Sequence, residues 1–331
     1  MFRPSFSATQ VAGIIGRHAY QPVSQVMYDV FKKDKKAAEI IAAIEKAHNR
    51  KPLNNFKGAF LKDRDIQQSV FAALDNCKTA DEAADKEVDA TKVLWDAEAK
   101  SHQLDLKVAA GIEVSQDEKD AVRSAVEQAA VAKKIAADVA AAAPSVDQML
   151  ASVEAACQKV IDRTPNMSPA MAAQLLADAR GEVAKKRGLN NEDKILNTYE
   201  AERKVVLTER NTRMLRMEKE TFTLVGRTDG FVADQNRVVD SKNRTRFFPE
   251  VPGYDIIQLR VYMHILNAKD AELIEKFPKQ ATRHTVYTND PEEWADIEAN
   301  LNLAARRMTE ILADASSLED LVFKNTVENG A

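Results

Sequence analysis

The sequence predicts an α/β protein with a mixed central sheet flanked by helices and a long alanine-rich helical insertion. Short apolar runs typical of strands are concentrated in the second half of the chain, and stretches with helical apolar spacing surround them. Between residues 75 and 185 aromatic residues almost vanish and Ala, Lys, Asp and Glu dominate, a composition with high helix propensity. The 331 residues, 45% hydrophobic and 30% charged, are ordinary for a soluble globular protein.

The alanine-rich stretch is expected to contain about four helices, separated by breaks at 111–115, at Pro144 and at 165–169. Residues 79–110 and 115–143 are predicted to pair as an antiparallel hairpin. A packing arm, a clamp on DNA and a surface for a partner or sister subunit are all open as its role. We therefore divide the chain into an amino-terminal helical part (1–74), the insertion (75–185) and a core (186–331).

The core is expected to open with a helix at Arg187, in which Glu192, Ile195, Leu196 and Tyr199 recur at helical spacing. Strands follow near 204–208, 213–219, 222–233 and 237–243, then a helix over 254–266 and short strands near 271–276 and 282–287. A helix from Pro291 to about Ala313 buries one apolar face, and 317–324 adds a further turn or two.

Two short motifs in this core carry the chemistry: Gly-Arg-Thr-Asp-Gly at 226–230 and Val-Val-Asp-Ser-Lys at 238–242. The polar residues 234–237 between apolar runs predict a hairpin. If its loop has an even number of residues, Asp229, Asp240 and Lys242 project from one face of the sheet. Two carboxylates beside an amine suit metal-assisted hydrolysis, in which a divalent ion activates water and steadies a phosphate oxygen.

Asp-X-Lys alone is common on solvated strand faces, so its neighbours decide its meaning. Gln258 and Tyr262 are spaced i, i+4 and share one face of the 254–266 helix. Glu192 lies on the preceding helical run. In chain order the core therefore presents Glu, Asp, Asp-X-Lys and Gln-X-X-X-Tyr.

This ordered set resembles the PD-(D/E)XK nuclease superfamily, in particular its RecB-like branch with YqaJ and lambda-type viral recombination exonucleases. The opening segment 6–17, followed by Tyr20 and the helical run 26–31, is similar to the amino terminus of YqaJ-type enzymes. The likeness covers roughly 1–65 and 185–331. It implies a restriction-endonuclease-like core interrupted by the alanine-rich insertion.

The resemblance implies roles for individual residues. Glu192, Asp229 and Asp240 would hold the metal, Lys242 would be the catalytic lysine, and Gln258 and Tyr262 would orient the lysine, the water or the DNA backbone. Ser7, Thr9 and Arg17 fall where the family binds a terminal phosphate, although Ser7 or Thr9 would also suit a helix cap and Arg17 an ordinary surface position. The candidates for a positive groove are Arg187, Arg244 and Arg246, with Lys51, Lys57, Lys62, Arg64, Lys185 and Lys186.

The expected cofactor is Mg²⁺ or Mn²⁺, because the candidate ligands are all oxygens and the five histidines are scattered. Two cysteines, Cys77 and Cys157, are too few for the four-cysteine iron–sulfur cluster of some RecB-like nucleases. Such cysteine usage suits a reducing cytosol, and no signal peptide or membrane-spanning run is recognised. The net charge of −4 argues against a uniformly basic DNA-coating protein but leaves room for a local positive groove.

The function implied is end-dependent 5′ to 3′ exonuclease action on double-stranded DNA during phage or viral recombination, in the host cytoplasm. The implied partners are DNA ends and a single-strand annealing protein. The resemblance is also compatible with a homo-oligomer. Two alternatives stay open: a RecB-like endonuclease or structure-specific nuclease, and a non-catalytic DNA-binding or scaffold protein that keeps the fold.

Overall fold

A computed structural model of the chain describes residues 2–52, 61–165, 167–278 and 280–328. It confirms the mixed α/β class and the long helical insertion. The amino-terminal part is mainly helical. Its elements are β1 (Ser5–Ser7), α1 (Ala8–Ile14), α2 (Val23–Phe31), α3 (Lys35–Ala47) and β2 (Arg50–Pro52).

The insertion consists of long helices whose breaks lie where the sequence predicts them, although the first helix begins before residue 75 and the last continues past residue 185. They are α4 (Arg64–Ala109), α5 (Gln116–Ala142), α6 (Val146–Arg163) and α7 (Pro169–Arg203). Helices α4 and α5 pack against each other as the expected hairpin, with Leu94, Ala97 and Ala129 buried in the seam. Helices α4, α6 and α7 share a second apolar core that contains both cysteines.

The expectation that a helix opens at Arg187 is wrong, because α7 begins at Pro169 and runs through this position without interruption. Ser168 caps its first turn, accepting a hydrogen bond from the backbone N–H of Met171 at 3.3 Å. Gly188 lies inside this helix. A single glycine costs a helix only about 1 kcal/mol and does not have to end it.

The core strands form two principal sheets. A four-stranded sheet has the order β5-β6-β7-β8, with β6 and β7 parallel and both outer pairs antiparallel. A three-stranded sheet has the order β1-β4-β3, and β2 pairs with β9 near the carboxyl end. The strands of the core are β3 (Leu215–Glu218), β4 (Thr223–Gly226), β5 (Gly230–Val232), β6 (Arg237–Asn243), β7 (Asp270–Lys276), β8 (Arg283–Thr288) and β9 (Thr326–Glu328).

Two strand predictions are wrong. The expected single strand over 222–233 is interrupted at 227–229, so β4 and β5 belong to different sheets. No strand forms over 204–208, where only Thr208 makes an isolated bridge, to Phe231. The interruption matters for the site because it places Asp229 at the break, immediately before β5.

Helices cover both faces of the four-stranded sheet. Helix α8 (Gly253–Leu266) packs on one face, and α9 (Pro291–Ala313) and α10 (Ala315–Asn325) complete that layer. Helix α7 covers the other face, where Ile195, Leu196 and Tyr199 meet Val239 and Ile274. In α9 the predicted apolar face, Trp294, Ile297, Leu301 and Ala304, is buried. Within the described residues, no helix combines the length and apolarity that a bilayer span requires.

Gly226 ends β4 where the strand passes closest to α8. A Cβ atom at this position would lie 2.6 Å from Cε1 of Tyr262 and 3.3 Å from Cβ of Ala8. The first distance is far inside van der Waals contact, so only glycine lets the Tyr262 ring lie against the strand.

We expect Gly226→Ala to lower the free energy of unfolding by about 1–3 kcal/mol, because a rigid ring has to move out of a packed site. The matched control is Gly181→Ala, in an open stretch of α7 where an added Cβ meets nothing within 4 Å. This control should raise stability by about 0.5–1 kcal/mol through helix propensity. Urea unfolding measures both, and equal midpoints for the two variants would contradict the packing argument.

Candidate active site

The β5–β6 hairpin places Asp229 beside the strand that carries Asp240. Gly230 pairs with Val239, the odd-with-even pairing that the sequence predicts, and Asp229 lies one residue before this pair. Oδ2 of Asp229 accepts hydrogen bonds from the backbone N–H of Ser241 at 2.7 Å and from its hydroxyl at 3.0 Å. The neighbouring strand therefore fixes the Asp229 carboxylate.

Asp240 and Lys242 lie on the same face of β6 and form an ion pair. Nζ of Lys242 is 2.6 Å from Oδ2 of Asp240. Asp240 is 1% exposed, whereas 24% of the Lys242 side chain remains exposed. The Lys242 side chain is thus partly exposed, whereas the carboxylate with which it pairs is buried.

Helix α8 supplies the other polar contact of Asp240. Nε2 of Gln258 lies 3.3 Å from Oδ1 of Asp240 and 3.2 Å from the hydroxyl of Tyr262. Both residues are buried and follow each other at one helical turn, as the sequence predicts. The two oxygens of Asp240 are therefore contacted by different elements, Lys242 from its own strand and Gln258 from the helix above.

Glu192 reaches the site from α7. Its Oε1 accepts a hydrogen bond from the side-chain amide of Asn211. Burial is the main cause that raises its pKa, and the negative charges of Asp240 and Asp193 add to this effect, while Lys242 and Asn211 oppose it. The mutual influence of Glu192, Asp240 and Lys242 shows that the helix-borne acid belongs to the same electrostatic cluster.

Burial and mutual repulsion also raise the pKa values of the two strand carboxyl groups. The pKa of Asp240 is raised to about 7, chiefly by burial and also by Asp229, although the Lys242 charge acts against this. The pKa of Asp229 is raised by burial and by Glu192, again against Lys242. The pKa of Lys242 itself is raised by Asp240, Asp255 and Asp229, which outweigh the lowering by burial. The lysine is therefore held as a cation within an excess of acidic groups.

The donor chemistry of the cluster fits a hard divalent cation, because the carboxylates are oxygen donors. Their pKa values are raised chiefly by burial and further by neighbouring carboxylates. In the described ranges, no group of three or more His, Cys, Asp or Glu residues is arranged to hold a metal ion. Glu192 is engaged by Asn211, and Lys242 occupies one oxygen of Asp240. Mg²⁺ commonly uses only one or two carboxylates together with water and substrate phosphates.

The residues expected at a terminal phosphate lie in the amino-terminal part. Ser7 precedes α1, and its hydroxyl lies 3.0 Å from Oε1 of Gln10 and 3.1 Å from the hydroxyl of Thr9. Arg17 is exposed and pairs with Asp296 at 2.5 Å. The contacts of Ser7 are those of a residue at a helix start, which was the alternative interpretation of this position.

Two of the three arginines expected in a DNA groove are engaged inside the protein. Arg187 is 3% exposed and pairs with Asp81 at 2.6 Å. Arg244 is 9% exposed and pairs with Asp255 at 2.7 Å and with Glu275 at 2.6 Å. These contacts favour structural roles, because neither guanidinium group presents a free cation to a phosphate. They correct the expectation for these two residues.

The third arginine of that set, Arg246, is exposed, with its guanidinium 5.2 Å from the ring centroid of Phe248. It therefore stays a candidate for phosphate contact. Lys57, a further groove candidate, lies outside the described residues.

Sequence reasoning missed the residues that hold the site in place. Ser241 was noted only as the middle of Asp-Ser-Lys, yet both its N–H and its hydroxyl bind Asp229. Asn211 binds Glu192 and adopts a left-handed backbone conformation with φ of 48°. Asn211 lies in a polar loop and carries no periodic signal that could have marked it as a site residue. Asp255 lies in the same helix turn as Gln258 and could have been included among the candidate site residues.

No protein-family model and no curated protein matches the chain. Solved structures with partial similarity include an alkaline exonuclease from Laribacter hongkongensis, which is 14% identical and has a TM-score of 0.34; the match covers 54% of this chain and 86% of that chain. The same exonuclease in complex with dAMP is 16% identical and has a TM-score of 0.33, and the match covers 55% of this chain and 88% of that chain. A phage-related exonuclease from Haemophilus somnus is 14% identical and has a TM-score of 0.32, and the match covers 49% of this chain and 82% of that chain. At these TM-scores the likeness does not establish a shared fold.

The raised pKa of Asp240 predicts a pH dependence of stability. A carboxyl group whose folded pKa lies near 7, above its unfolded value of 3.8, makes the protein less stable as the pH rises between these values. Asp240→Asn removes this titration and leaves Glu192 and Asp229 in place. We therefore expect the free energy of unfolding of wild type, minus that of the variant, to fall from about pH 4 to about pH 7 and then level off.

Denaturant unfolding in chelator-containing buffer measures this difference. The control is Asp234→Asn, in the exposed turn of the same hairpin, for which the corresponding difference should stay flat through the upper part of this range. A constant difference between wild type and Asp240→Asn over pH 4–8 would contradict a raised pKa at Asp240.

Proposed function

We propose that the chain is a metal-dependent nuclease that hydrolyses phosphodiester bonds in DNA, built on a PD-(D/E)XK core. The observation that carries this proposal is the buried Asp240 carboxylate between Lys242 and Gln258, with Asp229 across the hairpin and Glu192 in electrostatic contact. The proposal also includes the division of the chain into an amino-terminal part of the nuclease domain (1–74), a helical insertion (75–185) and a nuclease core (186–331).

The energetics of the cluster favour a functional site over an ordinary ion pair. Burying several carboxyl groups against one lysine costs stability, and a pair that served stability alone would not need the additional acids. Strongly shifted carboxyl pKa values, caused by burial and like-charge neighbours, are typical of catalytic and ligand sites. A substrate phosphate and divalent cations together would supply partners for both the lysine and the surplus negative charge.

Asp229 and Asp240 would hold Mg²⁺ or Mn²⁺, and Glu192 would complete the site once it leaves Asn211. When bound, such an ion lowers the pKa of a coordinated water and neutralises charge on the phosphate. An iron–sulfur cluster is not part of the proposal, since Cys77 and Cys157 lie buried in the core of the insertion.

The protein's own residues have distinct tasks in this proposal. Lys242 stabilises the negative charge that develops on the phosphate as the nucleophile attacks. Gln258 holds Asp240 from the helix side, through the carboxylate oxygen that Lys242 does not contact. Tyr262 fixes Gln258 through the hydroxyl–amide contact, and its ring is seated against Gly226.

The finer features follow from the family resemblance. We propose exonuclease action on double-stranded DNA ends with 5′ to 3′ polarity, in phage or viral recombination in the host cytoplasm, together with an annealing protein. Ser7, Thr9 and Arg17 would meet the terminal phosphate, and Arg246 the DNA backbone. Arg17 would then exchange Asp296 for a phosphate, an exchange that its exposed position permits. Assembly as a homo-oligomer is compatible with this proposal.

We expect Lys242→Ala and Asp229→Asn each to reduce cleavage of end-labelled duplex DNA in Mg²⁺ by at least ~100-fold, because each removes charge stabilisation or metal binding at the reacting phosphate. DNA binding, measured by fluorescence anisotropy with chelator present, should persist. The matched controls are Lys269→Ala and Asp234→Asn, exposed residues outside the cluster, which should cleave like wild type.

The same assay separates the alternatives. Exonuclease action degrades linear DNA and spares closed circular DNA, and opposite-end labels give its polarity. Cleavage of the circle would instead identify an endonuclease. Absence of cleavage by the wild type in both Mg²⁺ and Mn²⁺, with DNA binding intact, would support a non-catalytic DNA-binding protein. Full activity in Lys242→Ala and Asp229→Asn would refute the site.

A further inference from the structure

Three aromatic side chains gather beside the acidic cluster. The rings of His18 and Tyr254 are stacked, with centroids 4.4 Å apart and planes inclined by 23°. Tyr20 meets His18 edge-on at 6.3 Å, and its backbone N–H donates to Nδ1 of His18 at 3.2 Å. The group therefore joins the loop after α1 to the first turn of α8.

Helix α8 places this aromatic group next to the site. Tyr254, Gln258 and Tyr262 follow each other at four-residue intervals and so lie on one face of the helix. Tyr254 is one turn, about 6 Å, from Gln258, which contacts Asp240. The charge of Lys242 acts on the Tyr254 hydroxyl, although burial and Asp255 dominate and raise the pKa of Tyr254. The aromatic rings thus border the place where a phosphate would meet Lys242.

Packing within the protein does not account for all three rings. His18 and Tyr254 are partly buried and stack on each other, so their rings have a packing partner within the protein. Tyr20, by contrast, is 75% exposed. Burial lowers the pKa of His18, against the opposing charge of Asp255, so the imidazole is neutral at pH 7 and stacks as an uncharged aromatic ring.

We propose that His18, Tyr20 and Tyr254 form a stacking platform for a nucleobase of the DNA strand whose phosphate is held at Lys242. Aromatic side chains accept bases of any sequence, because every base has a π-face. This platform rests on the proposed function and adds to it a contact with an unstacked base near the strand end, beside Arg17.

The test measures DNA binding without cleavage. A duplex with a short 5′ single-stranded end and a fluorescent label is titrated with protein in chelator. We expect Tyr20→Ala to weaken binding about 5- to 150-fold, the range for loss of one stacked base. Tyr20→Phe, which keeps the ring, should bind like wild type. Trp95→Ala is the control, since Trp95 is 63% exposed but lies on the helical arm.

Abasic substitution at the terminal nucleotides locates the contact. If the platform holds a base, removing that base weakens wild-type binding but has little further effect on Tyr20→Ala. Equal binding of wild type and Tyr20→Ala, or an abasic effect that persists in Tyr20→Ala, would overturn the platform while wild-type cleavage leaves the nuclease proposal standing. A wild type that neither binds nor cleaves DNA would refute both.

Discussion

The burial of Asp240 is the constraint on which the rest of the site depends. A carboxyl group that is 1% exposed requires hydrogen-bonding or ionic partners, and it finds them in Lys242 and Gln258. The first contact requires both side chains on one face of β6, and the second requires α8 at a fixed height above that strand. The glycine at 226 then permits the ring that steadies Gln258. Strand register, helix position and glycine placement all converge on this one carboxylate.

The insertion is connected to the same region through buried charges. Arg187 on α7 pairs with Asp81 on α4 and donates from Nη1 to the backbone oxygen of Arg244 at 3.0 Å. Arg244 in turn pairs with Asp255, at the start of α8, and with Glu275 of β7. Buried ion pairs add little net stability, because the cost of desolvation offsets their attraction. Here they connect the insertion, the end of β6 and the start of α8.

The sequence was most informative where a local period governs structure. The β5–β6 hairpin, the helices α8 and α9, and the pair of helices α4 and α5 in the insertion were predictable, because apolar residues recur at strand or helix spacing. The break at 227–229 was not, since an apolar run does not reveal that its two halves join different sheets. The burial of Arg187 and Arg244 was also hidden, because Asp81, Asp255 and Glu275 are distant in sequence and meet them only in the fold. Asn211 at Glu192 belongs to the same class of tertiary contact.

Helix α7 has a mechanical consequence that follows from its continuity. Its 35 residues form one rod of about 52 Å, which packs through Leu175, Ala179 and Val183 in the insertion and carries Glu192 and Tyr199 onto the sheet. The insertion and the core are therefore joined by one continuous helix and not by a flexible linker. Trimming the insertion would remove the packing that supports the helix bearing Glu192, which is a metal ligand in the proposed site.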